Sequence, residues 1–365
     1  MLLNLMLSSY CDKIGHKLPY LLPCLGTALS AVYLAVIASP QFITWPLPTI
    51  FVFSIVSSAF GSFPTILMTS FSYCGLVARV DNRSLVMGLC EASILVGVFI
   101  GNLITGPIID SIGLPSMAYI NAGISLLPLP VLILLTDVTT EANLSNNWRN
   151  VVKLAHILDA FKCVFKKREG SKRLRLNLVF VSYTCIFMAS AGASGNSFLY
   201  LVKSKGFSLT LYSVFNSYSA ILKTISCPLI LYVCKRFIKP QEHTIGLVAI
   251  SCAAIGYIIV PIDILPYSVW IGVTFFSLDL LAYAVIRSIQ LSCCEKNELG
   301  LIFAYDAIIQ STFGLTGSIG IKALYSATLT TWNGMYLAIC ALLTIISLSA
   351  FVWLSLLKLR EKFSN

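Results

Sequence analysis

Charge is scarce in this 365-residue chain: the four charged residue types make up 11% of it, and aspartate and glutamate together number 15. A soluble domain draws about a quarter of its residues from that set, and its helices need polar faces. An ordinary water-soluble fold is therefore excluded. Histidine is scarcer still. His16, His156 and His243 all fall in stretches that read as loops, so no metal centre is expected. The 12 cysteines are mostly scattered through apolar runs, with no CxxC pair and no metal-ligand spacing. The vicinal Cys293–Cys294, near a helix end, reads as structural. No nucleophile–base pair, metal cluster or phosphate loop can be assembled, which argues against an enzyme and gives no reason to expect a cofactor. Nothing resembles the filter of an ion channel. Residues 1–7 lack the positive n-region of a secretory leader and are too short for one.

Apolar length is what the chain has: 57% of its residues are hydrophobic and its mean hydropathy is +0.87. A helix that crosses a bilayer needs about 20 apolar residues. Ten runs qualify, at 20–38, 46–78, 85–109, 115–135, 176–202, 209–234, 244–261, 267–291, 299–322 and 332–357. Residues 1–9 are apolar but too short to cross, and read as the end of a helix. The one long polar stretch, 137–175, holds nine Lys and Arg residues, Lys166, Lys167 and Arg168 among them. If it is cytoplasmic, only Lys203, Lys205 and Lys322 fall on the far side, a bias that fixes the orientation. The net charge of +10 is then a product of topology rather than a sign of nucleic-acid binding. The sequons Asn82-Arg83-Ser84 and Asn143-Leu144-Ser145 fall on the cytoplasmic side, where glycosylation is not expected.

The expected organisation is an N-terminal helix bundle (1–136), a basic cytoplasmic loop (137–175), a C-terminal six-helix bundle (176–357) and a cytoplasmic tail (358–365). The second bundle is longer by 46 residues, about a helix and a half with a loop. An all-α polytopic membrane protein of two pseudo-symmetric six-helix bundles, short of its first helix and part of its second, fits these lengths. Transporters built from repeated halves hold their ligands near the midplane between them.

With two such halves in view, the turn Tyr10-Cys11-Asp12-Lys13-Ile14-Gly15-His16-Lys17 resembles the major facilitator loop motif Asp-Arg-x-Gly-Arg-Arg, which joins the second and third helices. The equivalent turn at 234–240 is basic but lacks the Asp and Gly. Arg83-Ser84-Leu85-Val86-Met87-Gly88-Leu89-Cys90-Glu91-Ala92 is similar to the start of the fifth helix in the proton-coupled folate transporter family, solute carrier family 46. Val285-Ile286-Arg287, 295–303 and Leu324-Tyr325-Ser326-Ala327-Thr328-Leu329 look like that family's tenth-to-twelfth-helix region. Two positions depart from the folate-transporting member, with Ser62 in place of an aspartate and Ser219 in place of a histidine. In the family's count, the charge-free runs 20–38, 115–135, 244–261 and 332–357 are the outer, lipid-facing helices, where charge would cost most.

The intramembrane charges are the functional candidates. Glu91 lies about two turns into its helix, roughly 12 Å. The resemblance makes it the proton-coupling acid, while an acid that locks two helices together is the structural alternative. Arg287, with a planar fork suited to carboxylates, matches the family's tenth-helix arginine and is a candidate for binding an anion or for gating. Its alternative is to snorkel to the inner boundary. Asp279, eight residues earlier on nearly the same face, is too distant for an easy direct pair. Lys223 is mid-helix and is expected to face the cavity, paired with an acid or a substrate anion. Asp306 is a weak counterpart of Glu91 in the other half. Gly192, Gly195 and Asn196 suggest a bend or break lining the cavity. Gly97, Gly101, Gly106 and Pro107 suggest close packing and a kink, and Gly314, Gly317 and Gly320 suggest packing. No stacking platform can be read from the aromatics. Asp12, Lys13, Gly15, Lys17 and Arg83 are the loop-motif and gating candidates.

The expectation is a multi-pass transporter working by alternating access in the plasma or endolysosomal membrane. Its partners are the lipid bilayer and a small solute, an organic anion or metabolite, folate-like or other, with protons as candidate co-substrate. No nucleic acid is expected, and a monomer is favoured. The rival reading is a degenerate transporter kept as a sensor or scaffold; an incomplete gene model of an active transporter is the third.

Overall fold

The fold was described from a computed structural model, which describes residues 7, 11, 15–39, 50–134, 166, 171–238, 241–262, 267–295 and 298–364. Every regular element among them is helical. In chain order these are α1 (Lys17–Ile37), α2 (Ile50–Ala59), α3 (Ser62–Val77), α4 (Arg83–Leu126), α5 (Pro128–Leu134), α6 (Lys172–Ser204) and α7 (Leu209–Val233), followed by α8 (Glu242–Ile259), α9 (Ser268–Phe276), α10 (Asp279–Cys293), α11 (Leu299–Thr328) and α12 (Met335–Ser364). They supply ten stretches long and apolar enough to cross a membrane, each overlapping one of the ten expected runs. In a bilayer every backbone N–H and C=O must be satisfied internally, and a helix does this within itself. The chain is a multi-pass membrane protein.

The chain divides into two compact units. Unit 1 comprises Met1–Val77, Ile100–Phe165 and Glu295–Ile308. Its helices pack through small residues: Ala31 and Ala35 of α1 meet Ala118 and Ala122 of α4. Lipid is as apolar as leucine, so such packing rests on close backbone approach rather than on hydrophobic expulsion. Side-chain hydrogen bonds add to it, from Tyr20 to Ser70 (2.7 Å), between His16 and Ser72 (3.1 Å) and between Ser39 and Tyr119 (2.6 Å). A marked kink in α4 falls further along than Gly106-Pro107. The backbone of α4 leaves helical geometry at Gly113, whose φ of 84° suits glycine, two residues before Pro115.

Unit 2 comprises Ala78–Phe99, Lys166–Cys294 and Ile309–Asn365. The stretch formed by α9 and α10 is 67% buried, the largest share of any candidate span, so the core of this unit lies there. Around it, α12 packs on α6 and α8. Ser182 bonds Ser347, and the Cys340 thiol lies 3.4 Å from the Ala189 carbonyl. Between α8 and α9 the backbones nearly touch: a Cβ on Gly256 would stand 2.7 Å from the Gly272 carbonyl oxygen.

Two expectations are corrected here. α6 runs unbroken through Gly192, Gly195 and Asn196. Asn196 Nδ2 donates to the Gly192 carbonyl at 2.9 Å, along the helix rather than across a break. The glycines serve proximity, since a Cβ at Gly192 would collide with Ile321 and one at Gly195 would lie 3.0 Å from Ser318 Oγ. His243, read as a loop residue, is the second residue of α8 and buried. The discontinuity in this unit falls instead at Ser277–Leu278, between α9 and α10.

Candidate functional site

That break sets the site. α10 begins at Asp279, so the carboxylate occupies the first turn of a helix, where aligned N–H dipoles favour negative charge. Asp279, Tyr283 and Arg287 then follow at four-residue intervals, which places them along one face. Spacing alone leaves open whether Asp279 and Arg287 pair, and in the structure each has its own counter-ion. Lys223 Nζ of α7 donates to Asp279 Oδ2 at 2.9 Å and lies 4.1 Å from the centroid of the Phe276 ring. Arg287 pairs with Glu91 of α4, and neither side chain is more than 12% exposed. Gly88 allows this pairing. A Cβ there would stand 2.5 Å from Leu231 Cδ1 and 3.2 Å from Cys227 Sγ, so α4 comes close to α7 one turn before Glu91.

The two pairs are linked by tyrosines. Arg287 Nη2 donates to the Tyr183 hydroxyl at 3.3 Å, and Gln310 Nε2 donates to the same oxygen at 2.5 Å. The Tyr183 ring meets Tyr283 edge-on at 5.8 Å, one turn from Asp279. Charge, hydroxyl and ring thus form one connected polar seam inside an apolar bundle. Buried polar groups in such a seam need their partners, because an unpaired one costs more in a low-dielectric setting.

Beside the seam lies a cavity of about 200 Å³ within unit 2. Among the described residues lining it, Lys223 is the only charged one. Ser190, Ser194 and Ser197 form a polar stripe on α6, and Asn216, Ser219 and Lys223 form another on α7. Tyr200, Phe215, Tyr257, Phe276 and Tyr336 supply aromatic walls, with Tyr257 and Phe276 only 4.8 Å apart between centroids. The Tyr257 hydroxyl is buried and has no hydrogen-bond partner among the described residues. An ammonium, hydroxyls and aromatic faces together suit an anionic group carried on a partly apolar body.

The other expected site residues are dispersed. Asn196 is buried in α6 outside the cavity lining. Asp306, 2% exposed on α11, belongs to unit 1. Arg83 opens α4, and its Nη1 reaches the Leu291 carbonyl at 3.4 Å. Lys17 opens α1 and Gly15 lies two residues before it, while Asp12 and Lys13 lie outside the described residues. Arg287 is not among the cavity-lining residues and is no snorkelling cation, being 2% exposed and held by Glu91. Sequence reasoning missed the aromatic walls and both polar stripes. Their signal was present as serines at 190, 194 and 197, and as polar residues at 216, 219 and 223, on helical spacing in otherwise apolar helices. It also missed a cluster at the other end of α10. There Lys235 Nζ bonds the Asp81 carbonyl (2.8 Å) and Glu242 (3.1 Å), and the Ser288 hydroxyl lies within 2.9 Å of both Glu242 oxygens.

The family model described as "Major Facilitator Superfamily" matches residues 1–297, well over half the chain. The chain belongs to the Major Facilitator Superfamily. This superfamily member is similar to the Gallus gallus lysosomal proton-coupled steroid conjugate and bile acid symporter SLC46A3, at 23% identity over 94% of this chain and 74% of that protein. The Bos taurus protein of the same name is 22% identical over 93% of this chain and 73% of its own length. Both relatives belong to solute carrier family 46, in line with the motif at 83–92. Among solved structures, the human organic anion transporter MFSD10 (TETRAN) superposes with a TM-score of 0.74 at 13% identity, covering 97% of this chain and 80% of that one. FucP, a Major Facilitator Superfamily transporter solved in the outward conformation, gives 0.69 at 12% identity, covering 96% and 86%. At such identities the likeness shows the fold. The superfamily and these neighbours are transporters, and this chain is not an enzyme.

Proposed function

We propose that this superfamily member is a secondary active transporter that carries a small organic anion together with protons across an endolysosomal membrane. The observation that carries the reading is Lys223, the one cationic residue among the described residues of the lining, set among hydroxyls and aromatic faces in a cavity of unit 2. The names of the SLC46A3 relatives, lysosomal and proton-coupled, support the coupling and the compartment. In this reading the anion meets Lys223. Glu91 carries a proton: protonation removes its negative charge, loosens the pair with Arg287 and lets α4 and α10 part. Arg287 then acts on transport through Glu91 rather than by touching the anion in the cavity.

The test is uptake by vesicles bearing the chain of a panel containing cholate, estrone sulfate and folate, at mildly acidic and at neutral pH. Acid-stimulated uptake of at least one anion is expected, and Glu91→Gln is expected to remove the pH dependence of the maximal rate, read at saturating anion, while leaving insertion intact. Unchanged pH dependence in Glu91→Gln overturns the role of Glu91. Absence of uptake of every panel member by a correctly inserted chain overturns the transport reading.

A further inference from the structure

Asp279 is a buried acid for which the proposed function has no use. It lies behind Lys223 as seen from the cavity: the lysine lines the cavity with 16% of its side chain exposed, while the aspartate is 2% exposed and is not a lining residue. An anion entering the cavity therefore meets the ammonium before it meets the carboxylate. A lysine ammonium has three N–H donors. One is committed to Asp279 Oδ2 at 2.9 Å, and the Phe276 ring lies 4.1 Å from the nitrogen. Among the described residues, the groups facing Asp279 from the elements around it bring no second cation. They are Lys223 and Cys227 from α7, Tyr257 from α8 and Tyr283 from α10 itself, the last bonded to Ser190 of α6. Arg287, two turns along α10, is engaged by Glu91.

We infer that Lys223 and Asp279 form an exchange couple, in which an incoming anion takes over the lysine and Asp279 takes up a proton in the same event. The inference rests on the transport reading above and assigns to that reading a second proton, distinct from the one on Glu91. The reasoning is one of charge. Two anions cannot share one ammonium inside a low-dielectric bundle without strong mutual repulsion, and a buried carboxylate whose counter-ion is diverted neutralises rather than remain charged. The step balances. The Nζ–H···Oδ2 bond is lost, an Nζ–H···anion bond forms, and one proton from solution makes an O–H bond on the Asp279 carboxyl. Release of the anion reverses each change. Binding of a singly charged anion thus leaves the net charge of the cavity unchanged, and the protein needs no further cation to hold it.

The experiment is equilibrium binding of estrone sulfate, whose sulfate stays ionised across the range, to the purified chain in detergent as a function of pH. If one proton is taken up with each anion, the dissociation constant of the wild type falls about tenfold for each unit of acidification while free Asp279 is ionised. Glu91→Gln is expected to keep that slope, because Glu91 serves the later movement, and Asp279→Asn is expected to bind with no slope. An Asp279→Asn variant with the wild-type slope overturns the inference and leaves the transport reading standing. A wild type that binds estrone sulfate equally at all pH does the same. No binding by the folded wild type overturns the anion site itself, and the exchange couple with it. Should Asp279→Asn fail to fold, infrared difference spectra of Glu91→Gln decide the matter. A protonated-carboxyl band appearing on addition of estrone sulfate supports the couple, and its absence overturns it.

Discussion

Replacing Lys223 by methionine removes the ammonium facing Asp279 while nearly keeping the side-chain volume. Unit charges 2.9 Å apart attract by about 6 kcal/mol at an effective dielectric of about 20. Withdrawing each from water costs several kcal/mol, so the intact pair comes close to breaking even. Either partner alone keeps its desolvation cost and loses its compensation. Asp279, 2% exposed, must then either stay charged away from water or take up a proton at neutral pH, both costly, so Lys223→Met is expected to destabilise the chain by about 3–5 kcal/mol. Lys223 borders the cavity, so in Asp279→Leu the ammonium can still be hydrated. The loss should then be nearer 1–3 kcal/mol, about the cost of an unmet buried polar group. The double variant Lys223→Met/Asp279→Leu is expected to fall within about 1 kcal/mol of the wild type. Equilibrium unfolding in mixed micelles, arranged as a double-mutant cycle, measures all three. Equal losses in the two single variants, or a double variant as unstable as the sum of the singles, would refute the reasoning.

Glycine substitutions separate tight packing from open surface. Gly256→Ala puts a Cβ 2.7 Å from the Gly272 carbonyl oxygen and 2.9 Å from the Phe276 nitrogen, backbone atoms that cannot turn aside. It should cost about 1–3 kcal/mol and weaken anion binding in the cavity it lines. Gly97→Ala meets nothing within 4 Å and should be neutral or stabilising by up to about 1 kcal/mol; similar melting shifts for the two would contradict the packing account. At the far end of α10, Ser288→Ala removes a buried donor from Glu242 and should cost about 1.5–3 kcal/mol. Lys235→Met breaks only the ion pair and carbonyl contact of a side chain 23% exposed, and should cost less than about 1 kcal/mol. Thermal unfolding that ranks them the other way would reject this assignment.

The ten spans were legible because a bilayer demands continuous apolar length, and that is written directly in composition. The burial of Glu91, Lys223, Asp279 and Arg287 was legible for the same reason, since charges inside apolar runs are placed away from lipid. Their pairing was not. A helical wheel places Asp279 and Arg287 on one face but leaves unknown which neighbour each meets, because that depends on how far α4 and α7 are rotated and how closely they approach. Gly88 sets that approach at one contact, and its meaning becomes visible only beside Leu231 and Cys227. The glycines of α6 illustrate the reverse ambiguity. Gly192 and Gly195 are as compatible with a broken helix as with a tight one, and Ile321 and Ser318, more than a hundred residues away in sequence, decide for the second. The kink at Gly113 was hidden because Gly106-Pro107 carries the stronger local kink signal. The aromatic walls escaped notice because Tyr200, Phe215, Tyr257, Phe276 and Tyr336 come from five different helices.

The gap between α9 and α10 has a mechanical meaning. Phe276 is the last residue of one piece and Asp279 the first of the next, and the Lys223 ammonium touches both, at 4.1 Å from the ring and 2.9 Å from the carboxylate. The lysine is a stitch across a joint. While it holds both sides, the two short helices behave as one rod. Were an anion to draw the ammonium away from the carboxylate, as in the proposed exchange couple, the joint would be left to the two-residue turn at Ser277–Leu278 and its backbone hydrogen bonds. Under that proposal, occupancy of the cavity would be converted into compliance of the most deeply buried stretch of the unit.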